Sequence, residues 1–169
     1  MKRFLVLCAA LLPCLFLVGC ESDSRAGLIK STALLLGSAT GKIKDVKNGV
    51  TDAIKTAEDT GKQIDFAAAI EALKGLKEVG GAYQELKRNI DKVRLDVSDE
   101  DRKAYAASEK STLSAAFGSL LKERKELNDE LTRAENMKSE HQERNKLAVS
   151  AFRAKLVEAE SPFEALARQ

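Results

Sequence analysis

This sequence predicts an all-α fold, and three observations carry the prediction. Ala, Leu, Lys, Glu and Arg, all strong helix formers, dominate the 169-residue chain. Between Pro13 and Pro162 no proline interrupts a helix. Apolar residues recur at alternating steps of three and four, and no strand-like alternation of β-branched residues stands out. The stripes are long and narrow in three segments. Their simplest burial is an elongated antiparallel three-helix bundle with coiled-coil-like packing and a long third helix.

The first segment covers residues 28–57. Leu36, Ala39, Ile43, Val46, Val50, Ala53 and Ala57 lie on one helical face. Gly37, Gly41 and Gly49 each weaken it by about 1 kcal/mol against alanine. The Gly37 to Gly41 spacing permits close packing against a neighbouring helix, and packing within the bundle is expected there. Gly61, following Thr60, is the expected C-cap.

The second segment covers residues 65–96, with Asp65 as its N-cap. Phe66, Ala69, Leu73, Leu76, Gly80, Tyr83, Leu86, Ile90, Val93 and Val97 continue the pattern. Gly80 and Gly81 interrupt it. A continuous but weakened helix is expected there; the rivals are a break and a point of close approach by another helix.

Ser98, Asp99, Glu100 and Asp101 restart a helix. Ser98 is placed to cap it, and the carboxylates complement the positive end of the helix dipole. Ser98 with Asp101 resembles a capping box. Tyr105, Leu113, Ala116, Phe117, Leu120, Leu127, Leu131 and Ala134 form the third stripe. Asp129 with Arg133, and Glu140 with Arg144, are i,i+4 charge pairs in the favourable order. From Glu135 to Lys146 the stripe nearly vanishes, yet no Gly or Pro stops the helix. It resumes at Leu147, Ala148, Ala151, Phe152 and Leu156. One helix from Asp99 to about Ala159 is expected, about 90 Å long. The rival is a hairpin with a polar turn near residues 136–139. Ser161, Pro162 and Glu164 read as N-cap, N1 proline and capping-box acid before a short amphipathic turn.

The N-terminus carries a different message. Lys2 and Arg3 precede an apolar run of about 15 residues, too short for the roughly 20 that span a bilayer. Two cations, an apolar core and small residues before a cut site make a secretory signal peptide. Leu17, Val18, Gly19 and Cys20 close it. This ending resembles the lipobox of bacterial lipoproteins. The resemblance covers only about the first 20 residues. It implies cleavage between Gly19 and Cys20 and acyl chains on Cys20. Residues 1–19 are then the signal, 20–27 the lipidated cysteine and a polar tether, and 28–169 the helical domain. In lipoproteins of enteric bacteria an aspartate after the cysteine marks retention at the inner membrane. Glu21 is similar in charge but not the same, so the resemblance favours the outer membrane, on its periplasmic side.

Cleavage removes Cys8 and Cys14, and acylation occupies Cys20, so no disulfide is expected. Of the 28 basic residues Lys2 and Arg3 depart, leaving 26 against 26 acidic ones. A neutral domain argues against nucleic acid and against electrostatic adsorption to anionic lipid.

The search for chemistry returns little. His141 is the only histidine and sits in the most polar stretch, as a surface residue. No metal, cofactor or small-molecule substrate is expected, and the chain does not read as an enzyme. Gly37 to Lys42 has the glycine–lysine ending of a phosphate loop, but the spacing and Ile43 are wrong for one. The expected function is that of a lipid-anchored envelope protein whose helices bind a protein partner or self-associate. The candidate surfaces are the polar region of the third helix and the Gly80 neighbourhood. One alternative is a structural tether with non-covalent peptidoglycan association. The small helical murein lipoproteins resemble the chain in anchor and heptads, but they end in a wall-linking lysine, whereas this chain ends in Gln169. Another lays residues 28–57 on the bilayer surface, with Leu34, Leu35 and Leu36 inserted and Lys42, Lys44, Lys47 and Lys55 beside them.

Overall fold

The computed structural model describes residues 25–92 and 99–166. Among them every regular element is helical. Helix α1 is Arg25–Thr60, α2 is Ala67–Lys92, α3 is Asp99–Glu135 and α4 is Gln142–Glu160; a 3-10 turn, Ser161–Leu166, follows directly. The all-α expectation holds, but four helices pack together where three were expected.

The difference lies in the polar run after Glu135. The expected long third helix is instead two helices joined by a turn at residues 136–141, the hairpin arrangement. Asn136 closes α3: its backbone N–H and its side-chain amide both donate to the Thr132 carbonyl, at 3.1 and 2.9 Å. That satisfies a carbonyl otherwise orphaned at a helix end. A continuous rod would leave Val149, Phe152 and Leu156 in water. Folding back buries them, at about 1.5–3 kcal/mol for each large side chain.

α1 packs along both α2 and α3, and α4 packs along the same two helices from the other side. α1 and α4 therefore occupy opposite corners. Antiparallel α1 and α2 meet at Gly49, where a Cβ would lie 3.1 Å from the Ala69 backbone. α1 and α3 run parallel, since Arg25, Lys47 and Glu58 pair in order with Glu109, Glu123 and Arg133. α4 returns along α3, with Arg124 on Glu160 and Arg153 3.7 Å from Glu135. Arg133 with Glu58 is an exposed pair, of the kind that contributes about 0–1 kcal/mol, whereas Arg25 with Glu109 and Lys47 with Glu123 are partly buried; together they fix the register of the helices.

The core follows the stripes closely in α1 and α2. Leu36, Ala39, Ile43, Val46, Val50 and Ala57 are buried, as are Phe66, Ala69, Leu73, Leu76, Tyr83 and Ile90. Ile54, rather than the smaller Ala53, fills the central position near the end of α1. In α4 the stripe is Val149, Phe152, Leu156 and Ala159; Leu147 and Ala151 point outward, contrary to expectation. Phe152 stacks on Phe66 with centroids 5.0 Å apart.

Capping is partly as expected. Gly61 has φ 64, the left-handed conformation that suits a glycine after a helix. Asp65 accepts the Ala67 N–H at 2.9 Å and so holds the start of α2. Ser161, however, keeps right-handed helical backbone and donates its N–H to the Glu158 carbonyl. It therefore continues α4 instead of capping a new helix. Ser98 lies outside the described residues. Arg133 turns to Glu58 at 2.9 Å and to Glu130 at 3.6 Å, not to Asp129. Glu140 stands in the turn before α4, so it shares no helix face with Arg144.

The glycines divide sharply. α2 runs unbroken through Gly80 and Gly81. A Cβ on Gly80 would lie 2.6 Å from Pro162 and 3.3 Å from Phe163, so this glycine admits the C-terminal turn. Gly81 faces open space, as do Gly37 and Gly41. The packing expected at the Gly37 to Gly41 spacing is absent, because those positions look away from the core.

Candidate functional site

Two ends of the bundle are built differently. At the N-terminal end, chain already helical at Arg25 is fastened to both neighbours. The Arg25 guanidinium meets the Glu109 carboxylate with Nε–Oε1 2.6 Å and Nη2–Oε2 3.0 Å. It also donates to the Ile90 carbonyl at 3.4 Å. A forked arginine–carboxylate pair fixes orientation as well as distance. The polar tether expected up to residue 27 is thus shorter, since Arg25, Ala26 and Gly27 belong to α1.

At the opposite end the α1–α2 connection and the α3–α4 turn lie side by side. Asn145 joins them. It is fully buried, and its Oδ1 accepts the Ile64 N–H at 3.1 Å. Its amide nitrogen donates to Ser139 Oγ at 3.2 Å, and that oxygen also accepts the His141 N–H at 3.2 Å. A buried amide with both ends occupied rigidifies what it touches. Gly61, Lys62, Gln63, Lys138 and Glu140 surround it as an exposed tip. Asn145 was read from sequence only as part of a polar run. Its signal is its position four residues before Val149, on the apolar side of α4.

Electrostatics between the ends follow local pairing. Lys47 stands between Glu123, at 2.7 Å, and Glu126; hydrogen bonds to both carboxylates raise its pKa. The Lys47 hydrogen bond in turn lowers Glu126. The ammonium of Lys77, 2.8 Å away, lowers Glu158. Burial raises Glu160, and its ion pair with Arg124 only partly offsets that. Burial also raises Tyr83, which packs on Phe117 and Phe163. Glu130 Oε2 is buried without a hydrogen-bond partner, 3.6 Å from an Arg133 nitrogen. These groups tie helices together on separate seams and do not converge on a common cavity.

Gly19 and Cys20, the expected cleavage and lipidation residues, lie outside the described residues. His141 sits half-buried in the α3–α4 turn. Among the described residues no group of three or more His, Cys, Asp or Glu could hold a metal ion. None of the described helices is long and apolar enough to cross a membrane. The Gly80 neighbourhood is closed by Pro162 and Phe163 and is not a free surface. Leu36 is fully buried and Leu35 packs against the core, so the Leu34 to Leu36 run is not available for membrane insertion. Only Leu34, 69% exposed, projects from it.

No protein-family model, curated protein or solved structure matches the chain.

Proposed function

We propose that this chain is a lipoprotein of the bacterial cell envelope. Acyl chains on Cys20 hold it to a membrane, the outer membrane being favoured. Its helical bundle acts as a non-enzymatic module that presents a rigid surface to a protein partner.

The observation that supports this reading is the closeness of the lipobox cysteine to the Arg25 fastening. Residues 21–24 alone separate Cys20 from Arg25. Five steps of extended chain reach at most about 18 Å. The anchor would therefore lead almost directly into a helix locked to two neighbours. α1, with 36 residues, carries the chain about 54 Å further. The surface farthest from Arg25 is the Asn145-pinned tip. A long reach, a short tether and a rigid tip suit display towards a partner across the envelope.

Intact-mass analysis of the protein from its native membrane, beside a Cys20→Ala variant, tests the anchor. The expected mass corresponds to cleavage before Cys20 plus acyl chains, and the variant loses both. An unmodified or uncleaved N-terminus overturns the anchor. A photocrosslinker at Lys62 or Lys138 then tests the module. Capture of one envelope protein from the tip, but not from Lys30 near Arg25, is the expected result.

A further inference from the structure

The turn between α3 and α4 is built from chain that suits a helix. No glycine or proline stands between Glu135 and Lys146. No residue of the turn at 136–141 has a positive φ. His141, where α4 begins, makes no side-chain cap hydrogen bond. Glu140 and Arg144 are spaced and ordered for an i,i+4 pair that needs a continuous helix. In the hairpin they share no helix face, and Arg144 has no ion-pair partner among the described residues. Glu143, the acid nearest Glu140 in such a helix, is already held by Lys146 at 2.8 Å. Glu135 and Lys138, of opposite charge, would likewise come within one turn of each other. Against the helix stand the Asn136 and Ser139 bonds within the turn, and two distant partners of α4, Ile64 and Phe66. Local preference and tertiary packing thus pull in opposite directions at one short segment, which is how a two-state element is made.

The rest of the bundle does not need α4 to stay together. α1 packs along both α2 and α3. Arg25, Lys47 and Glu58 tie it to α3, and Gly49 sits on the Ala69 backbone of α2. α4 lies at the opposite corner, over the groove between α2 and α3, and offers that groove one stripe: Val149, Phe152, Leu156 and Ala159. It can leave without parting α1 from either neighbour.

We infer that residues 136–141 are a hinge at which α3 and α4 interconvert between the hairpin and one continuous helix, with α4 as a strap over the α2–α3 groove and Asn145 as its latch. The hairpin is the resting state, because it buries the α4 stripe. Opening joins Glu140 to Arg144 and uncovers Val149, Phe152 and Leu156 together with the groove that receives them. The 19 residues of α4 then project about 28 Å beyond the tip. The hinge does not depend on the anchor; that the projection points away from a membrane rests on the reading proposed above.

Energy transfer between dyes carried by unnatural residues in place of Lys74 and Lys155, in the full chain in detergent, tests the hinge. Lys77 and Glu158 pair at 2.8 Å, and Lys74 and Lys155 lie about one turn before them, both exposed. In the hairpin the dyes are neighbours. In the continuous helix position 155 stands about 30 Å past the end of α3, and the dyes are on the order of 40 Å apart. The unsubstituted chain is expected to show high transfer. Asn145→Ala with Phe152→Ala removes the latch and the largest fully buried side chain of α4. This pair is expected to shift most chains to low transfer, with helical circular dichroism at or above the parent's. Adding Lys138→Pro is expected to return most chains to high transfer. Proline breaks the continuous helix, whereas the Lys138 N–H makes no backbone hydrogen bond in the turn. High transfer retained in the double variant overturns the inference. So does a loss of its helical signal, which means that α4 or the whole bundle melts instead of extending. Low transfer that Lys138→Pro leaves unchanged overturns it as well.

Discussion

Asn145 Oδ1 and the Ile64 backbone N–H, 3.1 Å apart, join two connections that are far apart in sequence. The bond is buried and its donor has no water to fall back on. Replacing Asn145 with alanine leaves the Ile64 N–H and Ser139 Oγ without this partner. A buried unsatisfied donor costs about 1–3 kcal/mol. Asn145→Ala is therefore expected to lower unfolding free energy by about 2 kcal/mol, read by urea denaturation. Ser139→Ala leaves the Asn145 amide and the His141 N–H without their shared oxygen, but both bonds are only partly buried, so water can replace it and the cost should be smaller. Equal losses from the two would show that the Ile64 bond is not the dominant one.

Gly80 and Gly81 are adjacent yet predict opposite signs. Gly80→Ala drives a Cβ to 2.6 Å from Pro162, so the C-terminal turn must shift and Phe163 must leave its place on Tyr83. A loss of about 1–3 kcal/mol is expected from such overpacking. Gly81→Ala meets nothing within 4 Å and gains up to about 1 kcal/mol of helix propensity. Melting temperatures of the two variants, moving apart around the parent value, are the check. Gly37→Ala and Gly41→Ala belong with Gly81→Ala.

Gly61→Ala places a Cβ in left-handed backbone at φ 64. No neighbour clashes, so the cost is conformational, about 1 kcal/mol. Gly61→Asn tolerates that conformation better and should recover part of the loss. Chemical denaturation of both variants decides it.

Lys47 supplies a pH signature. Its pKa is raised in the folded chain, through its hydrogen bonds to Glu123 and Glu126. The associated stability is fully present below the ordinary lysine value of 10.5 and is lost as pH rises through the folded value. Glu126 is lowered by the same contact, so its part is present above the ordinary carboxylate value and lost as pH falls through the folded one. Glu160 is raised by burial and opposes the acid loss, since protonation suits its folded site. Lys47→Met is expected to flatten both the alkaline and the acid limbs of a stability–pH curve. A curve merely displaced downward, with both limbs unchanged, would count against the pairing.

The sequence by itself determined the helices and most of their inward faces. Local chemistry is enough for that: a period near 3.6 puts Ile43, Val46 and Val50 on one side whatever the partner. Gly61 and Asp65 mark a helix end and a helix start through their own backbone needs. The ending Leu17 to Cys20, which resembles a lipobox, is likewise a local signal, and the proposed anchor rests on that resemblance. Only the tertiary structure decided where α3 stops and which side of α4 turns inward. Residues 135–146 carry no proline or glycine, and their polar side chains are content in helix or turn. The break is settled by distant groups, Phe66 receiving Phe152 and Ile64 receiving Asn145, which a window along the chain does not contain. The same holds for Gly37, Gly41 and Gly80. A glycine marks where close approach is allowed, and the packing of the whole bundle decides where it occurs.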